Sequence, residues 1–95
     1  MYEKILARVR QCVESSQVVI PTHALVAMAQ DLLTTEDVCH CLLIGEIVER
    51  QYDRRYREWK YVVDGESLKG DGLQVVLKLH QIAGGAYVIT VYRVY

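Results

Sequence analysis

The feature that most constrains the fold of this chain is a change in hydrophobic period near Gly45. Before this residue, apolar side chains recur every three to four positions, which is typical of amphipathic helices. After it they recur at every second position, which is typical of strands. Because the helices precede the strands and do not alternate with them, we predict an α+β fold. In this fold, N-terminal helices pack on a mostly antiparallel sheet of three to four strands.

The 95 residues are expected to form a single domain, because that length suits one hydrophobic core. The predicted segments are an N-terminal helix in residues 1–17, further helices in 18–45 and an antiparallel sheet in 46–95. Val18, Val19 and Ile20 are β-branched and suit either a strand or a packed connector. Thr34 is predicted to cap the third helix and Gly45 to end it.

The two longest predicted strands, Leu73–His80 and Ala86–Tyr92, decide which polar side chains share a surface. If residues 81–85 form the loop between them, Val76 lies opposite Thr90, Lys78 opposite Val88 and His80 opposite Ala86. One polar face then carries the side chains Lys78, His80, Thr90 and Tyr92. A slip of one residue would divide this set, so the grouping depends on register.

These four side chains suit the cleavage of RNA by its own 2′-hydroxyl group. Histidine exchanges a proton near neutral pH, and lysine stabilises the charge that develops on the phosphate. Thr90 or Tyr92 can position the hydroxyl or the phosphate. A base, an acid and a cation suffice, so neither a metal nor a cofactor is predicted. The alternative is an ordinary solvent-facing sheet surface.

A basic segment before the middle strand is the second candidate site. Its predicted RNA-binding residues are Arg50, Arg54, Arg55, Arg57, Trp59 and Lys60. Arginines neutralise phosphates and aromatic rings stack on unpaired bases, so this composition is typical of a contact with single-stranded RNA. Asp53 and Glu58 reduce the local positive charge, and the alternative is a solvated loop with Trp59 buried.

His23, in the first turn of a helix, completes the catalytic candidates. The helix dipole disfavours a cation at this end, so a neutral imidazole that can accept a proton is expected. The alternative is a histidine that only packs in the core or caps the helix.

Charge and cysteine content limit the classes of partner. The net charge is −1, so any nucleic-acid surface must be local and not a property of the whole chain. We find no apolar run long enough to cross a bilayer and no signal peptide, and therefore expect a cytoplasmic protein without a membrane partner. The unpaired set of three cysteines suits a reduced compartment. Cys39 and Cys41 would point to opposite sides of a helix, so a shared metal is not expected.

Four short motifs, in this order and spacing, resemble those of a small bacterial family of unknown function. Its pattern is of the type H-A-L-x-R-M-x-x-R-x-I-T-x-x-D-V, followed by a strand-rich middle and an I-T-V-Y ending. The matching stretches are His23-Ala24-Leu25 with Met28, Leu33 to Val38, Gly45 to Glu49, and Val88 to Tyr92. The resemblance extends from Val18 to Tyr95.

The resemblance implies a relation to RelE/ParE/BrnT-like toxins, which are helices on an antiparallel sheet and in many cases metal-free endoribonucleases. It also implies an antitoxin protein as partner, RNA as substrate, and a cleft that brings His23, the basic segment and the final strands together. His23, Thr90 and Tyr92 match motif positions, whereas Lys78 and His80 come from the strand pattern.

The chain departs from the family pattern at positions where arginines are expected. These positions hold Ala27, Ala29 and Asp31. Two alternatives to a ribonuclease toxin therefore stay open. One is a non-catalytic module that binds RNA or protein through the same surfaces. The other is a homodimer that buries its final strand, which carries apolar residues on both faces.

Overall fold

Three helices and five strands make up the computed structural model, which describes residues 1–80 and 84–94. The elements, in chain order, are α1 (Glu3–Glu14), β1 (Val18–Val19), α2 (Thr22–Gln30), α3 (Thr35–Ile44), β2 (Glu46–Asp53), β3 (Glu58–Glu66), β4 (Gly72–Leu79) and β5 (Ala86–Arg93). The α+β class and the N-terminal helices are confirmed. The predicted strand number of three to four is wrong, since the sheet has five strands.

The additional strand is β1, at the start of the segment 18–45, where Val18, Val19 and Ile20 were predicted to form either a strand or a packed connector. It pairs in parallel with β5, Val18 opposite Ala86, while the other three strand pairs are antiparallel. The sheet order is β1-β5-β4-β3-β2. Two residues are too few to show a period of two, so this strand exists only because the fold brings it against β5.

The register between β4 and β5 differs from the prediction because of a bulge. Val76 pairs with Thr90 as predicted, but Leu77 then pairs with Val88, which leaves Ile89 as an extra residue in β5. Lys78 consequently lies opposite Tyr87 and not opposite Val88.

The predicted pairing of His80 with Ala86 is also wrong. Leu79 pairs with Ala86, and the His80 amide donates a hydrogen bond to the Gly85 carbonyl at 2.9 Å. Lys78 nevertheless shares a face with Thr90 and Tyr92, because Thr90 pairs with Val76, two residues away in β4. We call this face, which lies opposite the buried side of β4, the open face.

The core lies on the other side of the sheet, beneath α1 and α3. Side chains of the central strands alternate into it, and Val63, Val75 and Leu77 are fully buried. Val9 of α1 and Leu42 of α3 meet them in one cluster. Burial of each such side chain stabilises the fold by about 1.5–3 kcal/mol, so this layer fixes α1 and α3 over the sheet.

Both ends of α3 follow the predicted signals. Thr34 and Asp37 form a reciprocal capping box at the N-terminus, and Gly45 is the C-cap. A Cβ atom on Gly45 would lie 2.6 Å from the backbone oxygens of Asp64 and Cys41, so only glycine allows α3 to end this close to β3.

All three helices lie within residues 1–80. None of these helices is long and apolar enough to cross a membrane.

Candidate nucleic-acid interface

A cavity of about 530 Å³ lies between α1 and the hairpin formed by β2 and β3. We call it the aromatic cavity, because tyrosine and tryptophan make up much of its wall. The described residues that line it are Ile5, Arg8, Tyr52, Tyr56, Arg57, Glu58, Trp59, Tyr61, Leu79 and His80.

The turn between β2 and β3 is built by the Asp53 side chain. Its Oδ1 accepts hydrogen bonds from the backbone amides of Arg55 at 2.9 Å and Tyr56 at 3.3 Å. Arg57 follows in the left-handed region, with a φ of 53°. This conformation costs a residue other than glycine about 1–2 kcal/mol. The Arg57 side chain lines the cavity.

Trp59 lies at the centre of an exposed aromatic cluster. Its ring meets that of Tyr52 edge to face, with centroids 5.0 Å apart. The guanidinium carbon of Arg50 lies 4.2 Å from the Trp59 centroid, which is within the range of a cation–π contact. Trp59 is still 39% exposed, so part of it remains in contact with solution beside Arg50 and Tyr52.

The cavity also brings together groups that can exchange protons or hold an anion. Glu58 and His80 are the carboxylate and the imidazole, and Arg8 and Arg57 are the guanidinium groups. The His80 ring lies 5.6 Å from that of Tyr87. His80 directly follows β4 and lines this cavity, whereas Lys78 does not.

The open face has its own, smaller cavity of about 390 Å³, lined by Asp53, Tyr56, Glu58, Lys60, Lys78 and Ile89. Its two lysines are both close to carboxylates. Lys78 Nζ lies 3.0 Å from Glu58 Oε1, and Lys60 Nζ lies 3.9 Å from Asp53 Oδ2. The positive charge that the sequence predicted here is therefore largely neutralised.

The other predicted catalytic side chains are not among the described residues that line either cavity. His23 is exposed on α2, and its Nε2 is 3.4 Å from the Ile89 carbonyl oxygen at the β5 bulge. Thr90 and Tyr92 are exposed further along β5. The structure thus brings Lys78, Thr90 and Tyr92 to one face but leaves His23 at the edge of the sheet and His80 in the aromatic cavity.

The predicted RNA-binding residues are divided in the same way. Arg57 and Trp59 line the aromatic cavity, and Lys60 lines the open-face cavity. Arg55 lies in the turn, with its guanidinium carbon 5.9 Å from the Tyr56 ring centroid, and Arg54 is exposed beside it.

Arg8 of α1 was not predicted as a site residue. It lies more than forty positions before the basic segment in the sequence, and only the fold brings the two into one cavity. Its position three residues after Ile5 was the available signal, since residues at i and i+3 share one side of a helix.

Comparison with known proteins identifies one family. The search of curated proteins found no match to the chain, and the search of solved structures found none either. A family model described as domain of unknown function DUF4258 matches residues 20–93, which include α2 and all strands from β2 to β5 but not α1. That match covers most of the chain, which therefore belongs to the DUF4258 family.

Proposed function

We propose that the protein is a metal-independent endoribonuclease that acts on single-stranded RNA, and that it is the toxin-like component of a bacterial toxin–antitoxin system. The observation that carries this proposal is the content of the aromatic cavity. Its wall combines Glu58, His80, Arg8 and Arg57 with exposed aromatic rings. The open-face cavity differs in that its described lining has one aromatic ring and no histidine, and both of its lysines are paired with carboxylates.

The proposed reaction is an attack of a ribose 2′-hydroxyl group on the adjacent phosphorus. Glu58 accepts the proton of the 2′-hydroxyl as the O2′–P bond forms, and protonated His80 gives a proton to the leaving 5′-oxygen as the P–O5′ bond breaks. The products are a 2′,3′-cyclic phosphate and a 5′-hydroxyl end. The guanidinium groups of Arg8 and Arg57 stabilise the charge on the phosphorane oxygens.

The aromatic rings supply the preference for unpaired RNA. Stacking of a base on an aromatic side chain contributes about 1–3 kcal/mol and requires a base that is free of its duplex partner. Trp59 and Tyr52 offer such a surface beside the proposed acid and base. The protein would therefore cut loops and single strands in preference to duplex RNA.

The proposed relation to RelE/ParE/BrnT-like toxins rests on the motif resemblance and on the α+β fold. α2 contains no lysine or arginine, and Ala27 and Asp31 occupy the two positions where the family pattern has arginines. In this proposal Arg8 and Arg57 supply the missing positive charge. An antitoxin protein would neutralise the enzyme by covering the aromatic cavity.

The test is the cleavage of total RNA after EDTA treatment of protein and substrate. Wild-type protein is expected to produce fragments with 2′,3′-cyclic phosphate ends, whereas His80→Ala and Glu58→Gln are expected to produce none. His40→Gln, which changes a half-buried histidine of α3 outside the cavity, is the matched control. Equal cleavage by wild type and both cavity variants would refute the proposed site.

A second candidate function is a non-catalytic module that binds RNA or protein. The ion pairs of Lys78 with Glu58 and of Lys60 with Asp53 favour it, because they leave the open face without the free cations that a catalytic sheet face needs. This alternative predicts binding without fragments in the same assay. Homodimer formation through the final strand is a separate expectation. Among the described residues, Tyr92 of β5 and Val94 directly after it are exposed, and light scattering would test the dimer.

A further inference from the structure

The N-terminal helix takes part in the aromatic cavity although it precedes the part of the chain that matches the family. α1 ends at Glu14, and the family match begins at residue 20. Ile5 and Arg8 of this helix nevertheless line the cavity, three residues apart and therefore on one side of α1. Val9 is fully buried, and Arg10 donates a hydrogen bond to the Gly45 carbonyl at 3.0 Å, so α1 is held firmly in this place.

The turn on the opposite wall places a second arginine at a strained backbone position. Arg57 has a φ of 53°, where hairpins of this kind usually have glycine. A non-glycine residue in this region persists only when its surroundings compensate for the strain. The Arg57 side chain lines the cavity, which gives the arginine a physical role that glycine could not provide.

The nearby carboxylate does not cancel both cations. Glu58 lines the cavity with them. Its Oε1, however, lies 3.0 Å from Nζ of Lys78, which is on the open face of the sheet. Arg8 and Arg57 line the same cavity as the aromatic rings, and neither forms an ion pair within the described residues. Guanidinium groups bind phosphate oxygens through several parallel hydrogen bonds, and aromatic rings bind bases.

We propose that Arg8 and Arg57 form a phosphate subsite, and that the Trp59 and Tyr52 rings bind the adjoining unpaired base. The aromatic cavity would thus hold one nucleotide of single-stranded RNA between α1 and the β2–β3 turn. This inference rests on the RNA specificity of the proposed function, but it does not require cleavage. It also makes α1 a part of the binding site and not only a cover for the core.

Binding can be measured without cleavage because Trp59 is the only tryptophan of the chain. The probe is a short single-stranded RNA with 2′-O-methyl groups, which cannot undergo 2′-hydroxyl attack. We expect it to quench the Trp59 fluorescence in a saturable way. Arg8→Ala should raise Kd about tenfold, as for the loss of a charge-assisted hydrogen bond, and lower the salt slope by about 0.7.

The matched control for Arg8 is Lys4→Ala, one turn earlier on α1, which removes the same charge from an exposed side chain outside the cavity. It should change Kd less than twofold. Equal weakening by Arg8→Ala and Lys4→Ala would mean that only net charge matters, and would overturn the subsite.

Arg57→Gly separates binding from folding. Glycine relieves the left-handed conformation, so Tm should not fall, whereas Kd should rise about tenfold. Unchanged Kd in this variant, or no quenching by the probe in the wild type, would overturn the subsite. Quenching together with intact total RNA would support the subsite and refute the nuclease. Cleavage of RNA by a protein that shows no quenching would refute the subsite alone.

Discussion

Lys78 Nζ and Glu58 Oε1 lie 3.0 Å apart, and this ion pair joins the open face of the sheet to the aromatic cavity. Glu58 lines both cavities, whereas Lys78 lines only the one on the open face. Lys78 therefore reaches the proposed reaction only through Glu58. In the proposed reaction it would act as a positioning residue, whereas the strand pattern predicted a group that touches the phosphate.

Replacement of Lys78 by glutamine is expected to affect catalysis more than stability. Both side chains of the pair are about one third exposed, so the pair contributes at most about 1 kcal/mol to the free energy of unfolding. Loss of the positioned carboxylate should lower kcat about tenfold and leave KM unchanged. Steady-state cleavage of a fluorogenic oligoribonucleotide would measure both constants.

The control for Lys78 is Lys60→Gln, which breaks the looser 3.9 Å pair with Asp53 on the same face. It should leave kcat within twofold of wild type. A Lys78→Gln variant with unchanged kcat, or one in which KM rises and kcat does not fall, would contradict a positioning role.

Asp37 is expected to make stability depend on pH in the acid range. The backbone amide of Thr34 donates a hydrogen bond to this carboxylate at 2.9 Å, and the amide of Leu68 donates a second one at 3.0 Å. These bonds, that of Thr34 most of all, hold the pKa of Asp37 below the usual 3.8. A lowered pKa in the folded state means that the stabilisation is complete above the unfolded pKa. It is lost as pH falls below about 4 through the folded pKa.

Asp37→Ala should lower the free energy of unfolding at pH 7 by about 1–2 kcal/mol, because it removes the capping box and releases the loop that begins at Ser67. The difference from wild type should shrink below pH 4. Urea unfolding followed by circular dichroism at pH 7 and pH 3 would measure both effects. Glu36→Ala, in the same helical turn but exposed, serves as the control, and a constant difference across pH would count against this account.

Cys41 is expected to be unreactive in the folded protein. Burial, and secondly the negative charge of Asp64, raise the pKa of its thiol to about 12, so the reactive thiolate is scarce at pH 8. Mass spectrometry after iodoacetamide treatment should find Cys41 modified only in guanidinium chloride. Cys39, which is half-buried, should react first in the native protein. Rapid native labelling of Cys41 would show that α3 does not pack on the sheet as described.

Gly45→Ala is expected to be strongly destabilising. The new Cβ atom would lie 2.6 Å from two backbone oxygens that cannot rotate away, so α3 or β3 must shift, at a cost of about 1–3 kcal/mol. Gly70→Ala is the comparison, since no atom lies within 4 Å of its Cβ position and only its φ of 87° opposes alanine. Thermal unfolding should show a larger fall in Tm for Gly45→Ala, and the reverse order would contradict the close approach.

Local patterns were sufficient to predict much of the fold. The change of period at Gly45 separated helices from strands, because each period reflects how a single element buries one side. The capping box of Thr34 and Asp37 follows from residues three apart in the chain. Lys78, Thr90 and Tyr92 share a face as predicted, because Val76 pairs with Thr90 as expected and the bulge lies beyond that pair.

The sequence by itself therefore determined the order, the type and the buried side of the main elements, because these depend on neighbours within a few positions. Only the tertiary structure decided which distant residues meet. The pairing of Val18 with Ala86, the extra residue Ile89 in β5 and the placement of Arg8 beside Arg57 all depend on long-range packing. Such contacts leave no period in the sequence, since each is fixed by how whole elements pack against one another.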